Sequence, residues 1–261
     1  GYTLPHTGEG ISLISSLRSM QDTESNRIST YIQETYTLEH KSGIYNFTGG
    51  VRLSYWDYNR ECIVSPRISV GFNPAFNPRL TFRFATGLYY QAPFYKEFRD
   101  TLQDSRGNWT VRLNDRIKSQ RSVHVILGSD FTFRAMDRPF KLTGEVYYKK
   151  LDRLISYEVD NVRAWYSGEN NSEGYIAGLD LKLFGEFVPG VDSWLTLSLM
   201  TAKEKAASGY VPLPTEQRYS VGLFFQDYVP RFPKYRFSLK AIWSDGLPMA
   251  APRKGRAEGY F

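Results

Sequence analysis

The sequence predicts an all-β chain: an antiparallel, up-and-down transmembrane β-barrel, present as a portion of about ten strands. Three observations predict it. Apolar residues recur with period two almost throughout, and helical periodicity is scarce. The alternating stretches run to ten or more residues, longer than the five or six usual in soluble sheets and long enough to cross a membrane. Short and long connections follow one another in strict alternation, as they do where short periplasmic turns face long external loops.

The strands follow in order. Ten are predicted, at 27–39, 45–58, 63–74, 79–91, 121–135, 140–158, 174–187, 193–206, 217–228 and 235–245. In the second, Phe47, Val51, Leu53 and Tyr55 oppose Thr48, Gly50, Arg52 and Ser54 across the chain. In the fourth, Leu80, Phe82 and Phe84 alternate with Thr81, Arg83 and Ala85. The seventh sets Ala177, Leu179, Leu181 and Leu183 against Gly178, Asp180, Lys182 and Phe184, and the eighth sets Leu195, Leu197 and Leu199 against Thr196, Ser198 and Met200. The last places Tyr235, Phe237, Leu239, Ala241 and Trp243 on one face and Arg236, Ser238 and Lys240 on the other.

Five joints are tight and rich in Gly, Pro or Asp: 40–43, 73–78, 136–139, 189–192 and 229–234. Between them lie 57–65 and three longer, polar, irregular joints at 92–120, 159–173 and 207–216. Tyr45, Tyr55, Trp56, Tyr89, Tyr90, Trp194, Tyr219, Tyr228, Tyr235 and Trp243 fall near strand ends, where aromatic girdles meet the two membrane interfaces. Parity puts the polar flanks 1–26 and 246–261 on the long-loop side. A complete single-chain barrel keeps both ends on the other side, so the reading is of one barrel segment over 1–261, cut at both ends relative to a whole barrel.

Composition excludes more than it selects. The 261 residues carry 33 Lys+Arg against 27 Asp+Glu, too small a surplus to argue for nucleic acid. A single cysteine, Cys62, rules out a disulfide scaffold and a thiolate zinc cluster. It is placed in or beside the 57–65 joint. Of the three histidines, His6 falls in the leading loop and His40 in a short turn. His124 sits on a polar face with Asp130 six residues away, too far along the strand to orient it. No enzyme, no metal site and no cofactor are therefore expected.

The residues with binding chemistry lie on the polar face and in the 92–120 loop. Glu145 and Asp180, with Arg52, Arg67, Arg83, Arg134, Lys182 and Lys240, all alternate onto the polar face. They suit a charged lumen that binds an anionic ligand, or ion pairs that satisfy a wet interior. In the loop, Tyr95 and Trp109 with Lys96, Arg99, Arg106 and Arg112 have the composition to capture a ligand by stacking and charge. The expected ligand-binding set is Arg83, Tyr95, Trp109, Arg134, Glu145, Asp180 and Lys182.

The run from Pro66 to Glu97 resembles TonB-dependent outer-membrane receptors. In that family a strand opening Pro-Arg (here Pro66-Arg67) leads through a short turn to an aromatic–x–Ala-Pro–aromatic–x–x–Glu step. Here the step comprises Tyr90, Ala92, Pro93, Phe94 and Glu97. Gly174–Leu183 and Lys234–Pro248 resemble later strands of the same family, so the likeness covers nearly the whole chain. It implies a barrel of about twenty-two strands, of which these ten sit near the C-terminal end. It also implies a Gram-negative outer membrane, contact with its lipid, and import of a scarce nutrient: a metal chelate, vitamin, glycan or peptide. The energy comes from the TonB complex acting through a plug domain that these residues do not contain. Two other readings stand beside it: a self-contained barrel acting as a passive channel, lipase or protease, and a soluble carbohydrate-binding β-sandwich.

Overall fold

The structure, a computed structural model, describes residues 24–103, 109–160, 163–206, 209–229 and 231–248. Fifteen strands and one helical turn follow in chain order: β1 Arg27–His40, β2 Gly43–Trp56, β3 Glu61–Pro74, β4 Leu80–Gln91, α1 Tyr95–Phe98, β5 Arg99–Gln103, β6 Trp109–Leu113, β7 Gln120–Ala135 and β8 Arg138–Leu154. Then come β9 Tyr157–Asp160, β10 Arg163–Tyr166, β11 Ser172–Val188, β12 Val191–Ala206, β13 Gly209–Pro212, β14 Tyr219–Val229 and β15 Phe232–Ser244.

The ten long strands form one antiparallel sheet in the order β1-β2-β3-β4-β7-β8-β11-β12-β14-β15, with β13 added to β12. Each long strand pairs with its predecessor among the ten, which is up-and-down topology. The path ends at β1 and β15, and no pairing among the described residues joins them. It is a wall, part of a barrel. Among the described residues the other sheets are two short hairpins, β5–β6 and β9–β10, not the second large sheet a sandwich would require.

Register shows why the period-two pattern is so regular. One row runs Tyr36–Phe47–Val70–Phe84–Leu127–Val146–Leu179–Leu199–Tyr219 across nine strands, apolar at every step. A row on the other face runs Thr37–Asn46–Gly71–Arg83–Gly128–Glu145–Asp180–Ser198–Ser220–Ser244. A slip of one residue in any strand would exchange the two faces, so the two solvents fix the register. The apolar face is open: Leu127 is 57% and Val146 55% exposed. Only six large or small hydrophobics are buried among the described residues, including Trp56, Ile117 and Ile155. A sheet this size with its apolar side chains outward is built for a hydrocarbon solvent.

The short turns have the local chemistry they need. Between β7 and β8, Met136 and Asp137 both take positive φ (51° and 60°), the two-residue geometry that matches strand twist. Gly190, φ 74°, does the same work between β11 and β12.

Several expectations are corrected. The 140–158 strand stops at Leu154, because Arg153 takes φ 56° and its carbonyl accepts a hydrogen bond from Asn170 Nδ2 at 2.9 Å. The loops at 92–120 and 159–173 are not irregular: they contain the hairpins β5–β6 and β9–β10. His40 is the last residue of β1, and Cys62 lies inside β3, exposed. Trp56, Tyr89, Trp194 and Tyr228 stand on the polar face and belong to no outward girdle; Trp194 lies opposite Phe184 and Phe224, in step with Lys182 and Asp180, and Tyr228 lies opposite Arg236.

Close approach explains one glycine. Tyr147 lies over Gly178 directly opposite, so a Cβ there would meet the Tyr147 ring at 2.5 Å and the Leu199 carbonyl at 2.8 Å. Gly178→Ala should therefore destabilise the barrel by about 1–2 kcal/mol, read as a lower heat-unfolding temperature of the micelle-embedded protein. An unchanged temperature would show that Tyr147 swings aside freely.

Candidate functional site

The polar face carries its charges in tiers. At mid-sheet, Asp130 of β7 is the hub. Its Oδ2 accepts from Arg83 Nη1 at 2.7 Å and lies 3.3 Å from Lys141 Nζ, and its Oδ1 accepts from Thr143 Oγ1 at 2.8 Å. Arg83 reaches it by lying across Gly128, where a side chain would block the path. Beside the hub, Glu145 and Asp180 are directly opposite each other, two half-buried carboxylates on adjacent strands. Like charges so placed repel. A cation delivered to this face would be held by both. Lys182 stands one row away, its Nζ 5.7 Å from the centre of the Phe184 ring.

Toward the loop-side end the face becomes basic. Arg67, Gly87, His124 and Lys149 occupy successive positions of one row. Arg67 lies over the Tyr89 ring at 4.3 Å, and His124 stacks on the same ring at 4.1 Å. Arg27 lies over Trp56 at 4.1 Å.

Above this tier the loops are stapled. Glu61, 7% exposed, accepts at Oε2 from the Ser119 amide (2.8 Å), Ser119 Oγ (2.6 Å) and Asn59 Nδ2 (3.3 Å). Asn59 Nδ2 also donates to the Ile117 carbonyl at 2.6 Å. Lys118 and Asn170 bond reciprocally, and Asn114 Nδ2 donates to the Gly168 carbonyl. Ile117 is sealed in a small core with Trp56 and Ile155, against which Ala92 packs.

The Ala-Pro step is structural in the same region. Glu97 Oε2 accepts from the Phe94 amide at 2.7 Å, half of a capping box closing α1, while Gln120 Nε2 donates to its other oxygen at 3.2 Å. Pro93 is buried at the entry, and Phe94 is exposed. The motif therefore turns the chain out of β4 and anchors it to the start of β7.

One loop-side contact titrates. Burial holds the Glu204 carboxyl above its ordinary range, and Tyr157, whose hydroxyl donates to it, is raised as well. Burial lets folded Glu204 keep its proton to higher pH than the opened form, although the Tyr157 bond itself favours the carboxylate. The stability of the closed form is therefore greatest at low pH. It weakens as pH rises from the ordinary glutamate range through the raised value. Hydrogen-exchange protection around Tyr157 and Glu204, corrected for intrinsic rates, should fall as pH rises above the ordinary glutamate range. Glu204→Gln should flatten that dependence; a persisting slope would assign it to another group.

The seven binding candidates do not form one site. Arg83, Glu145, Asp180 and Lys182 share the mid-sheet tier. Arg134 lies at the short-turn end, its Nη2 donating to the Asp137 carbonyl at 2.5 Å. Tyr95, in α1, is at the loop-side end, 44% exposed. Trp109 opens β6, and its side chain lies outside the described residues. Arg27, Glu61 and the partners of Asp130 were not singled out by the sequence; the placement of Asp130 on the polar face with His124 is the one signal that pointed to any of them.

Three comparisons bear on the whole. A family model described as "TonB dependent receptor-like, beta-barrel" matches residues 3–256. Among solved structures, a mutant ferric enterobactin receptor from Pseudomonas aeruginosa matches with a TM-score of 0.53 at 16% identity. The match covers 77% of this chain and 30% of that one. No curated protein matches. The solved structure supports the shared fold, and this chain spans about 30% of that receptor's length.

Proposed function

The chain belongs to the TonB-dependent receptor-like β-barrel family, and we propose on that premise that it is barrel wall of an outer-membrane receptor importing a scarce nutrient. The observation that carries the reading is the two-faced, unclosed sheet. Its apolar rows suit lipid, its charged rows suit a wet lumen, and its free edges at β1 and β15 call for further strands of the same barrel.

The family is one of receptors and not of enzymes, and the polar face fits that. His124 stacks on Tyr89 between Gly87 and Lys149. The Glu145–Asp180 pair is the seat for cationic side chains of a plug, through which TonB would act. Residues 24–26 and 245–248 flank the loop-side ends of β1 and β15; the rest of the expected end loops 1–26 and 246–261 lies outside the described residues. The cargo is a metal chelate, a vitamin, a glycan or a peptide.

Deletion of the gene, followed by growth under limiting iron, cobalamin or glycan, should identify the nutrient whose uptake fails. The same uptake should vanish when TonB is deleted while cell-surface binding persists. Uptake indifferent to TonB would replace the receptor by a passive channel.

A further inference from the structure

Resting on the receptor reading, we infer that the loop-side end of the polar face is a binding site for a multiply charged oxyanion, a ligand bearing carboxylate or phosphate groups. Arg27, Arg52 and Arg67 are its contacts. The three guanidiniums line one cavity of about 190 Å³ together with Ser29, Ser54 and Trp56, and no Asp or Glu lines it.

The register crowds the positive charge. Arg52 faces Ser65, and Arg67 lies two residues further along β3, a diagonal separation of roughly 7–8 Å. Arg67 fits because Gly87 opposite it lacks a side chain: a Cβ there would come within 2.9 Å of the Arg67 stem. Lys149 extends the same row two strands beyond Gly87. Three acids of this part of the sheet have other partners. Glu61 takes donors from Ser119 and Asn59, and Asp57 accepts from Asn26. Asp130 holds Arg83, which stands four residues down the sheet from the Arg67 row, roughly 13 Å.

The aromatic rings decide between ligand classes. A neutral sugar needs an open ring face to stack on. Tyr55 and Tyr90, which also line this cavity, alternate onto the apolar face with Phe47 and Phe84. Trp56 is 5% exposed with Arg27 over it, and Tyr89, which lines the adjoining cavity, is taken by Arg67 and His124. The rings therefore orient guanidinium planes and leave their N–H edges for bidentate bonds to oxyanions.

The test uses the full-length receptor in detergent micelles, titrated calorimetrically with citrate, pyrophosphate and neutral maltotriose. At least one of the anions should bind, with affinity falling steeply as salt rises, and maltotriose should not. Arg52→Gln/Arg67→Gln should weaken anion binding roughly 10- to 100-fold, and Lys234→Gln, at an exposed position near the short-turn end of β15, should leave it unchanged. Arg52→Lys/Arg67→Lys keeps the charge and loses the fork, so binding should still drop severalfold; this pair decides the matter if the glutamine variant does not insert. Anions ignored by the parent protein, bound equally by the variants, or bound no better than maltotriose would overturn the site. A glutamine variant that binds normally but unfolds at lower temperature would give the arginines to a carboxylate of the protein itself. TonB-dependent import by a receptor that ignores both anions removes the site and spares the receptor reading; anion binding with TonB-independent uptake does the reverse.

Discussion

Replacing Glu61 by alanine is expected to speed tryptic cleavage after Arg116 and Lys118 by roughly 30-fold. Both basic residues are exposed, but the segment between β6 and β7 is held against the sheet from alternate positions: Ile117 and Ser119 are each 1% exposed. One carboxylate oxygen holds Ser119 twice, accepting from its amide and its hydroxyl, and takes Asn59 as well. Alanine leaves those donors buried without their acceptor. A net cost of about 2 kcal/mol, ordinary for hydrogen bonds to a buried charge once water partly substitutes, multiplies the open population by about 30. Cleavage follows that population when reclosing is faster than proteolysis. Glu61→Gln keeps the shape and one acceptor oxygen, so its effect should be severalfold at most. Equal cleavage of the alanine variant and the parent would mean that Ile117, inserted beside Trp56 and Ile155, anchors the segment without help from Glu61.

The wall was legible in the sequence because two different solvents write two different alphabets on alternate residues. Leu179, Leu181 and Leu183 against Gly178, Asp180 and Lys182 admit one register and one pairing direction, and the same holds along most of the long strands. The loop-side hairpins were not legible. Tyr157–Asp160 and Arg163–Tyr166 are four residues each, too short for alternation to stand out from a polar loop. Trp56 and Trp194 depart from a girdle because nearness to a strand end does not fix the face; parity does. The Asp130 hub escaped for another reason. Its partners Arg83, Lys141 and Thr143 come from β4 and β8, so the cluster exists only once three strands are in register. Period two says which face a charge is on; it does not say which charge it will meet. The Ala-Pro motif was found as a family resemblance, yet the residue reading gave no hint that Glu97 works as a cap on Phe94.

Asp130→Ala should be the most damaging single change on the polar face, at about 2–3 kcal/mol. The Asp130 side chain is 12% exposed, and it neutralises two cations that would otherwise confront each other across β4, β7 and β8. Breaking a fully buried pair of this kind costs about 3–5 kcal/mol. Arg83 and Lys141 retain 42% and 45% exposure, so water screens part of the loss and the lower figure applies. Asp130→Asn keeps the Thr143 bond and removes the charge, and should fall between alanine and the parent. The contrast is Asp245, whose partner Arg218 is 74% exposed. That pair sits in open water near the ends of β14 and β15, and Asp245→Ala should cost nothing measurable. Denaturant unfolding in micelles, read from the heat-modifiable gel band, separates the two. If the Asp130 and Asp245 variants unfold alike, the mid-sheet tier is held by the strand ladder alone and its charges are free to serve a plug or a ligand. If only Asp130 matters, Arg83 is structural, and the charges left for binding at that level are Glu145, Asp180 and Lys182.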